Sequence, residues 1–363
     1  MPTIHLTLPS VQSSPSDRPH HCPHCGHWRL HRHGTCSKPI RDRELTTVSV
    51  ERYRCSACRR TFRHYPAGVT RADHSQRLVA SGALLWAAGL SLRWCERALQ
   101  LFGLVSSDTS IWRAVGLLGS ALASRPIGRA QVLGVDGVAL RLAGQTVGVI
   151  VAVDDATGEL LALELLDERD PQAVLAWLRP LVAATGASVL VTDDLSSYGV
   201  VASELGLERQ VCVFHLKRWV RRALDELEQE LAEHGDERWQ GIIAEARRVV
   251  KQLAAAGGAR LHALWTAMRD VRYPAAGEWP PAVRLRHLLG RVSDHWHDYR
   301  RWAADPTIPT TNNRTEQAIG RLKLRSRTVR GYKSVSGMLA GILLAAAVRS
   351  GGDIDLATPL QAA

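Results

Sequence analysis

Apolar positions along this chain change period several times, and each change marks a different kind of element. Between residues 74 and 120 they recur at helical spacing, with Leu78, Leu85, Leu92 and Leu99 seven apart. Breaks at GLSLRWCERAL and SSDTSIWRAV predict short helices separated by tight turns, and Ser107 or Asp108 suits the N-cap of the last. From residue 131 the pattern becomes that of strands. QVLGVDGVALRL, QTVGVIVAVDD and ELLALELLDE are three successive β runs, with the turn DDATGE between the second and third. DPQAVLAWLRPLVAATG then predicts a helix capped by Asp170 with Pro171 in its first position. ASVLVTDD predicts a fourth strand, SSYGVVASELG a helix, and RQVCVFH a fifth strand.

The order β-β-β-α-β-α-β is that of an RNase H-like mixed sheet, in which three antiparallel strands are followed by right-handed crossovers adding parallel ones. Between about 216 and 308 the strand signal disappears, and VRRALDELEQELAEHG, ERWQGIIAEARRVVKQLAAAG and VRLRHLLGRVSDHWHDYRRWA predict amphipathic helices. They form a helical insertion within an α/β domain spanning 131–350. The basic helix of TNNRTEQAIGRLKLR and the apolar helix of GMLAGILLAAAVRSG follow the insertion. Residues 1–19, rich in Ser, Pro and Thr, predict a disordered arm, and 351–363 a short tail. The helices at 74–125 suggest a helix-turn-helix, with GLSLRWCERALQLFG as first helix and turn and TSIWRAVGLLGSAL as recognition helix; a plain bundle is the alternative.

Charge changes the picture. The 363 residues carry a formal net charge of +11, which predicts attraction to a polyanion, most commonly nucleic acid. No apolar stretch approaches the ~20 residues that a membrane span needs. The amino terminus lacks the basic and apolar segments of a signal peptide, and seven cysteines argue against a disulfide framework, so a cytoplasmic protein is expected.

Four of those cysteines form two knuckles, Cys22-Pro-His-Cys25 and Cys55-Ser-Ala-Cys58, separated by a segment able to form a hairpin. Four thiolates at this spacing suit a closed tetrahedral Zn²⁺ site, predicting a zinc ribbon over 20–66. His21, His24, His27 and Cys36 lie close enough in sequence to substitute as ligands. Arginines crowd the ribbon, Arg52, Arg54, Arg59, Arg60 and Arg63 among them, as a phosphate-contacting surface would require.

Three acidic residues carry the candidate chemistry. Asp136 stands in an apolar strand, where an unpaired charge is costly. Asp193 and Asp194 follow another; strand alternation puts Asp193 on the side of Val191 and Asp194 on the opposite side. Glu316 opens the basic helix, where Asn313-Arg-Thr-Glu316 also reads as a capping box. Carboxylates brought together from strand ends and a facing helix can hold a pair of divalent cations against one phosphodiester.

Taken together, VDG, TDDLSSYG, CVFHLKR and TNNRTEQAIGRLKLRSRTVRGYKS resemble the motifs of bacterial insertion-sequence DDE transposases, in the clade related to Mutator-like elements. The resemblance covers 131–350 and implies that Asp136, Asp193 and Glu316 are the DDE triad, holding two Mg²⁺ (or Mn²⁺) ions. It implies strand cleavage at the terminal inverted repeats of an element and 3′-OH transfer into target DNA by a dimer or larger assembly near the nucleoid. Arg314, Arg321, Lys323, Arg325, Arg327, Arg330 and Lys333 would grip phosphates near the cut. Cys212 and His215 match a C-x-x-H motif of similar transposases, and would orient DNA or a carboxylate. An RNase H-like nuclease without joining activity and a non-catalytic zinc-ribbon DNA-binding regulator are the rival expectations.

Overall fold

The computed structural model describes residues 4–329, 331–350 and 352–361. It divides into two compact units: residues 1–126, 139–147 and 318–363, and residues 127–138 with 148–317.

The first unit carries the four knuckle cysteines. Strands β2 (Leu30–Pro39), β3 (Thr47–Cys55) and β4 (Thr61–His64) form an antiparallel sheet in sequence order. Its knuckle end buries Leu30, Tyr53, Cys22 and Cys55 beside Phe62, and a second small cluster holds Ile40, Val48, Val50 and Val69. Residues 4–19 are not a loose arm. Strand β1 (Ile4–Thr7) pairs in parallel with β10 (Gly352–Asp355). Val11 packs on the second cluster, while Gln12 N–H donates to Ala67 O and Ser49 N–H to Ser13 O. Polarity of composition lost here to backbone hydrogen bonds that the rest of the unit supplies.

Helices α1 (Gln76–Ala88), α2 (Leu92–Leu101) and α3 (Asp108–Ala123) each start on a serine whose Oγ accepts a backbone N–H three residues on: Ser75 from Leu78, Ser91 from Trp94, Ser107 from Ser110. Helix α3 lies against α1 and α11 (Val335–Ser350). Gly119 allows the approach, since a Cβ there would sit 2.0 Å from Ala340 O. The expected recognition helix thus buries Ile111, Val115 and Leu118, and Arg113 is the basic residue on its exposed face.

Arg325, on α10 (Asn313–Thr328), is not available to DNA. It is fully buried, with its guanidinium 3.8 Å from the Trp86 ring centroid, and it donates to Gly89 O, Leu90 O and Thr328 Oγ1. Burial pulls its pKa down to about 10. The cation closes the C-terminal end of α1, where orphan carbonyls otherwise lack donors. Arg325→Ala is expected to cost about 2–4 kcal/mol, because it leaves buried carbonyls unpaired and a cavity over Trp86. A chemical-denaturation midpoint equal to that of wild type would refute this role.

The second unit is built on a five-stranded sheet of order β7-β6-β5-β8-β9. Strands β5 (Val132–Leu142) and β6 (Gln145–Asp154) are joined by Ala143 and Gly144, both at positive φ, the backbone of a tight hairpin turn. The outer end of this hairpin groups with the first unit. Strand β7 (Leu160–Glu164) pairs antiparallel to β6. Strands β8 (Val189–Thr192) and β9 (Glu208–Val211) add in parallel beyond β5. The crossovers are α4 (Pro171–Thr185), capped by Asp170, and α5 (Ser196–Leu205). They cover one face of the sheet over Leu133, Val135, Ile150 and Leu190.

The fifth strand ends at Val211, earlier than the apolar run CVFH suggested. Cys212 is the N-cap residue of α6 (Val213–Glu233), and His215 falls in its first turn. Leu216, Val220, Leu224, Leu227 and Leu231 line one stripe of α6, and helical periodicity prevails over β propensity. With α7 (Gln240–Gln252), α8 (Gly257–Ala267) and α9 (Pro281–Asp294), this helix encloses a separate apolar core. Among the described residues, no helix is long and apolar enough to cross a membrane.

Candidate active site

Strand register places the first two aspartates. Strands β5 and β8 pair in parallel up to Gly134↔Val191. Continued by two residues, that register sets Asp136 beside Asp193 on one face of the sheet. Asp136 stands within β5 rather than at its end, just where β8 stops and leaves it without a strand neighbour on that side. Its Oδ1 accepts the Gly137 N–H at 2.8 Å, and its Oδ2 accepts Asn312 Nδ2 at 3.3 Å. Burial, and then the Asp193 carboxylate, push its pKa up to about 7; Glu168 adds to the rise and His215 opposes it.

Asp193 is fixed by its backbone. Its Oδ1 accepts the Leu195 N–H at 3.0 Å, and its carbonyl accepts buried Arg209 Nη2 at 2.9 Å. Arg209 also donates to Leu195 O, which holds the turn leaving β8. Asp194 is engaged elsewhere: its carboxylate accepts Arg291 Nη2 at 2.6 Å and the Tyr299 hydroxyl at 3.2 Å.

The third carboxylate arrives on the first turn of α10. Gly134 makes room for it, since a Cβ there would meet Thr315 Oγ1 at 2.0 Å. Glu316 follows, and its half-exposed carboxylate faces His215 Nε2 at 3.4 Å. The neighbouring Cys212 thiol raises the His215 pKa against the effect of burial, and the Glu316 and Asp136 charges add to it. Thus Cys212 and His215 lie beside the carboxylates, and the imidazole faces Glu316. The three acids are not gathered to coordination distance. Among the described residues, the cysteines are the one set of three or more His, Cys, Asp or Glu ligand atoms within 4.8 Å of one another.

A fourth carboxylate, not expected from the sequence, stands at the same place. Glu168, in the loop after β7, accepts the hydroxyl of fully buried Tyr198 at 2.8 Å. A Cβ on Gly137 would lie 2.2 Å from Glu168 Oε2, so the glycine of VDG is what admits this acid beside Asp136. In the sequence Glu168 belongs to a polar loop, LLDERD, and nothing local distinguishes it.

The basic residues divide. Arg314, Lys323, Arg327 and Lys333 are exposed, Arg321 is half-buried, Arg325 is buried, and Arg330 lies outside the described residues. At the other candidate site, Cys22 Sγ lies 3.8 Å from Cys58 Sγ, and Cys25 Sγ 3.7 Å from Cys55 Sγ. A tetrahedral zinc with Zn–S near 2.3 Å requires sulfur pairs roughly 3.8 Å apart. The four cysteines could hold such an ion. The Cys58 N–H pulls the Cys55 thiol down to about 7, while burial and the neighbouring thiols push Cys25 up to about 11; a bound metal would favour the thiolate at both.

Residues 149–340 match the family model described as Transposase IS66 family. More than half of the chain is matched, and the chain belongs to that family. The span includes Asp193 and Glu316 and begins after Asp136. No curated protein matches the chain. Among solved structures, the chain is similar to one from the Drosophila P element transposase strand transfer complex, at 10% identity and a TM-score of 0.38, over 75% of this chain and 91% of that one.

Proposed function

We propose that this IS66-family transposase cuts and joins DNA at the carboxylate face of an RNase H-like sheet, with Asp136, Asp193 and Glu316 as the catalytic acids. The observation that supports the reading is that β5 and β8 pair in parallel up to Gly134 and Val191, each two residues before an aspartate, while Thr315 of α10 packs on Gly134 and is followed by Glu316. Their hard oxygen donors fit Mg²⁺ or Mn²⁺; burial first, and then the Asp193 and Glu168 charges, raise the Asp136 pKa to about 7, and a cation beside it would offset both. Bound there, such ions supply Lewis acidity at the attacking and leaving oxygens of a phosphodiester.

The chain's own residues do the rest. Asn312 and the Gly137 N–H orient Asp136; Arg209 holds the turn that presents Asp193; His215 positions Glu316. A zinc ion on Cys22, Cys25, Cys55 and Cys58 would order the ribbon. Together with α1–α3, the ribbon would dock the terminal inverted repeats, and Arg314, Lys323, Arg327 and Lys333 would engage phosphates. Joining two ends requires at least a dimer on synapsis. The motif set further supports a relation to Mutator-like elements.

The test uses full-length protein, a labelled duplex carrying an element end, a target duplex and Mg²⁺ or Mn²⁺. A nick at the end followed by a joined product is expected. Nicking with no joined product would make the protein a nuclease. Binding without nicking would make it a regulator.

A further inference from the structure

A groove on the helical insertion begins beside His215 and has no part in the chemistry described above. Helices α6 and α7 enclose about 510 Å³ over an apolar floor of Val220, Leu224 and Val250. Its rim carries Lys217, Arg218 and Arg221 from α6 and Lys251 from α7. Positions 214, 217, 218 and 221 share one helical face. All four cations are exposed, and no ion pair of theirs is seen among the described residues. Arg247, in the same groove, is held instead by Asp225 and Glu228. At the His215 end, the Phe214 side chain is 55% exposed and meets the imidazole edge-on at 5.7 Å. That imidazole is the one facing Glu316.

Three cations along α6, with a fourth facing them from α7, repel one another unless a polyanion lies across them. An exposed aromatic ring at the end of such a row offers a stacking surface for a base. We infer that the groove takes the single DNA strand adjoining the scissile phosphate, with its phosphates on Lys217, Arg218, Arg221 and Lys251 and one unpaired base on Phe214. A paired base cannot serve, because its faces are occupied by its neighbours in the stack; only an extruded or single-stranded one can reach the ring. The inference rests on the carboxylates being the strand-cleaving centre, and it names the part of the substrate that lies beside them.

Fluorescence anisotropy of the full-length protein tests it, using a labelled single-stranded oligonucleotide and the corresponding duplex across a salt series. The triple variant Lys217→Glu/Arg218→Glu/Arg221→Glu is expected to bind the single strand at least about 10-fold more weakly. Its log–log salt dependence should be shallower by about two, since the reversed charges no longer hold three phosphates. Phe214→Ala is expected to weaken single-strand binding about 10-fold with the salt slope unchanged. Duplex affinity should change less than about twofold in both variants, and their circular dichroism and melting should match wild type, since the altered side chains are exposed. Unchanged single-strand affinity in both variants, or an equal loss for duplex, would overturn the proposal. End-nicking by the wild-type protein, assayed in parallel, fails if the carboxylate reading is wrong, so the two failures are told apart.

Discussion

Asp136→Asn is expected to abolish end cleavage and, at the same time, to make the metal-free protein harder to unfold. The carboxyl group is buried beside Asp193, and its native pKa near 7 stands above the ordinary 3.8. Below pH 3.8 folded and unfolded chains both hold the proton. Between 3.8 and 7 the unfolded chain releases it while the folded chain keeps it, so stability falls as pH rises through that window. Above pH 7 the loss is complete, about 2–4 kcal/mol. Asparagine has no proton to release, so the variant escapes this loss at pH 8 and should melt several degrees higher than wild type without divalent ions. Added Mn²⁺ should stabilise wild type strongly and the variant little, because the cation offsets the burial and repulsion of a charge that the variant does not carry. Cleavage should fall by about 10³-fold or more, since a centre that works by charge stabilisation loses several kcal/mol with one ligand. A variant that melts lower than wild type at pH 8 and still cleaves would refute the assignment of Asp136.

Cys25→Ser, or removal of metal by a strong chelator, is expected to unfold the amino-terminal ribbon. The two ribbon clusters are small: Leu30 and Tyr53 with Phe62 beside the knuckles, and four aliphatic side chains further along. Apolar burial on that scale does not offset the ordering of about 45 residues. Structural zinc contributes about 10–16 kcal/mol of binding free energy to small domains of this kind, and here most of that would be folding free energy. Elemental analysis should find one zinc per wild-type chain and almost none in the variant. Limited proteolysis should then cut within residues 20–66 of the variant while wild type resists. A metal-free wild type with a protease-resistant ribbon would leave the four sulfurs as ordinary core thiols.

Local pattern revealed much of this architecture, because its causes are local. Alternation marked the strands of the central sheet, and the Asp170-Pro171 pair announced the start of α4. The cysteine knuckles carried their geometry in their spacing, and VDG and TDD follow directly on the paired segments of β5 and β8. What could not be read depends on contacts between distant segments. Glu168 reaches Asp136 because Gly137 has no side chain and Tyr198 supplies a hydroxyl, two conditions met by separate elements. Arg325 has the same composition signature as its exposed neighbours, and only the packing of Trp86 over its guanidinium removes it from the surface. The run CVFH favours a strand, yet the leucine stripe that follows claims Val213–His215 for a helix. Residues 4–19 took backbone partners from segments far along the chain.

Asp194, Arg291 and Tyr299 form a strap between the end of a central strand and the last helices of the insertion. His215 stands at the entrance to that insertion and Glu316 just past its exit. Roughly a hundred residues therefore form one closed loop whose ends, His215 and Glu316, face one another, and the entropy of closing such a loop is offset by the loop's own interior core. The insertion acts as a spacer: damage within its core, far from any carboxylate, is expected to disturb the contact between its two ends.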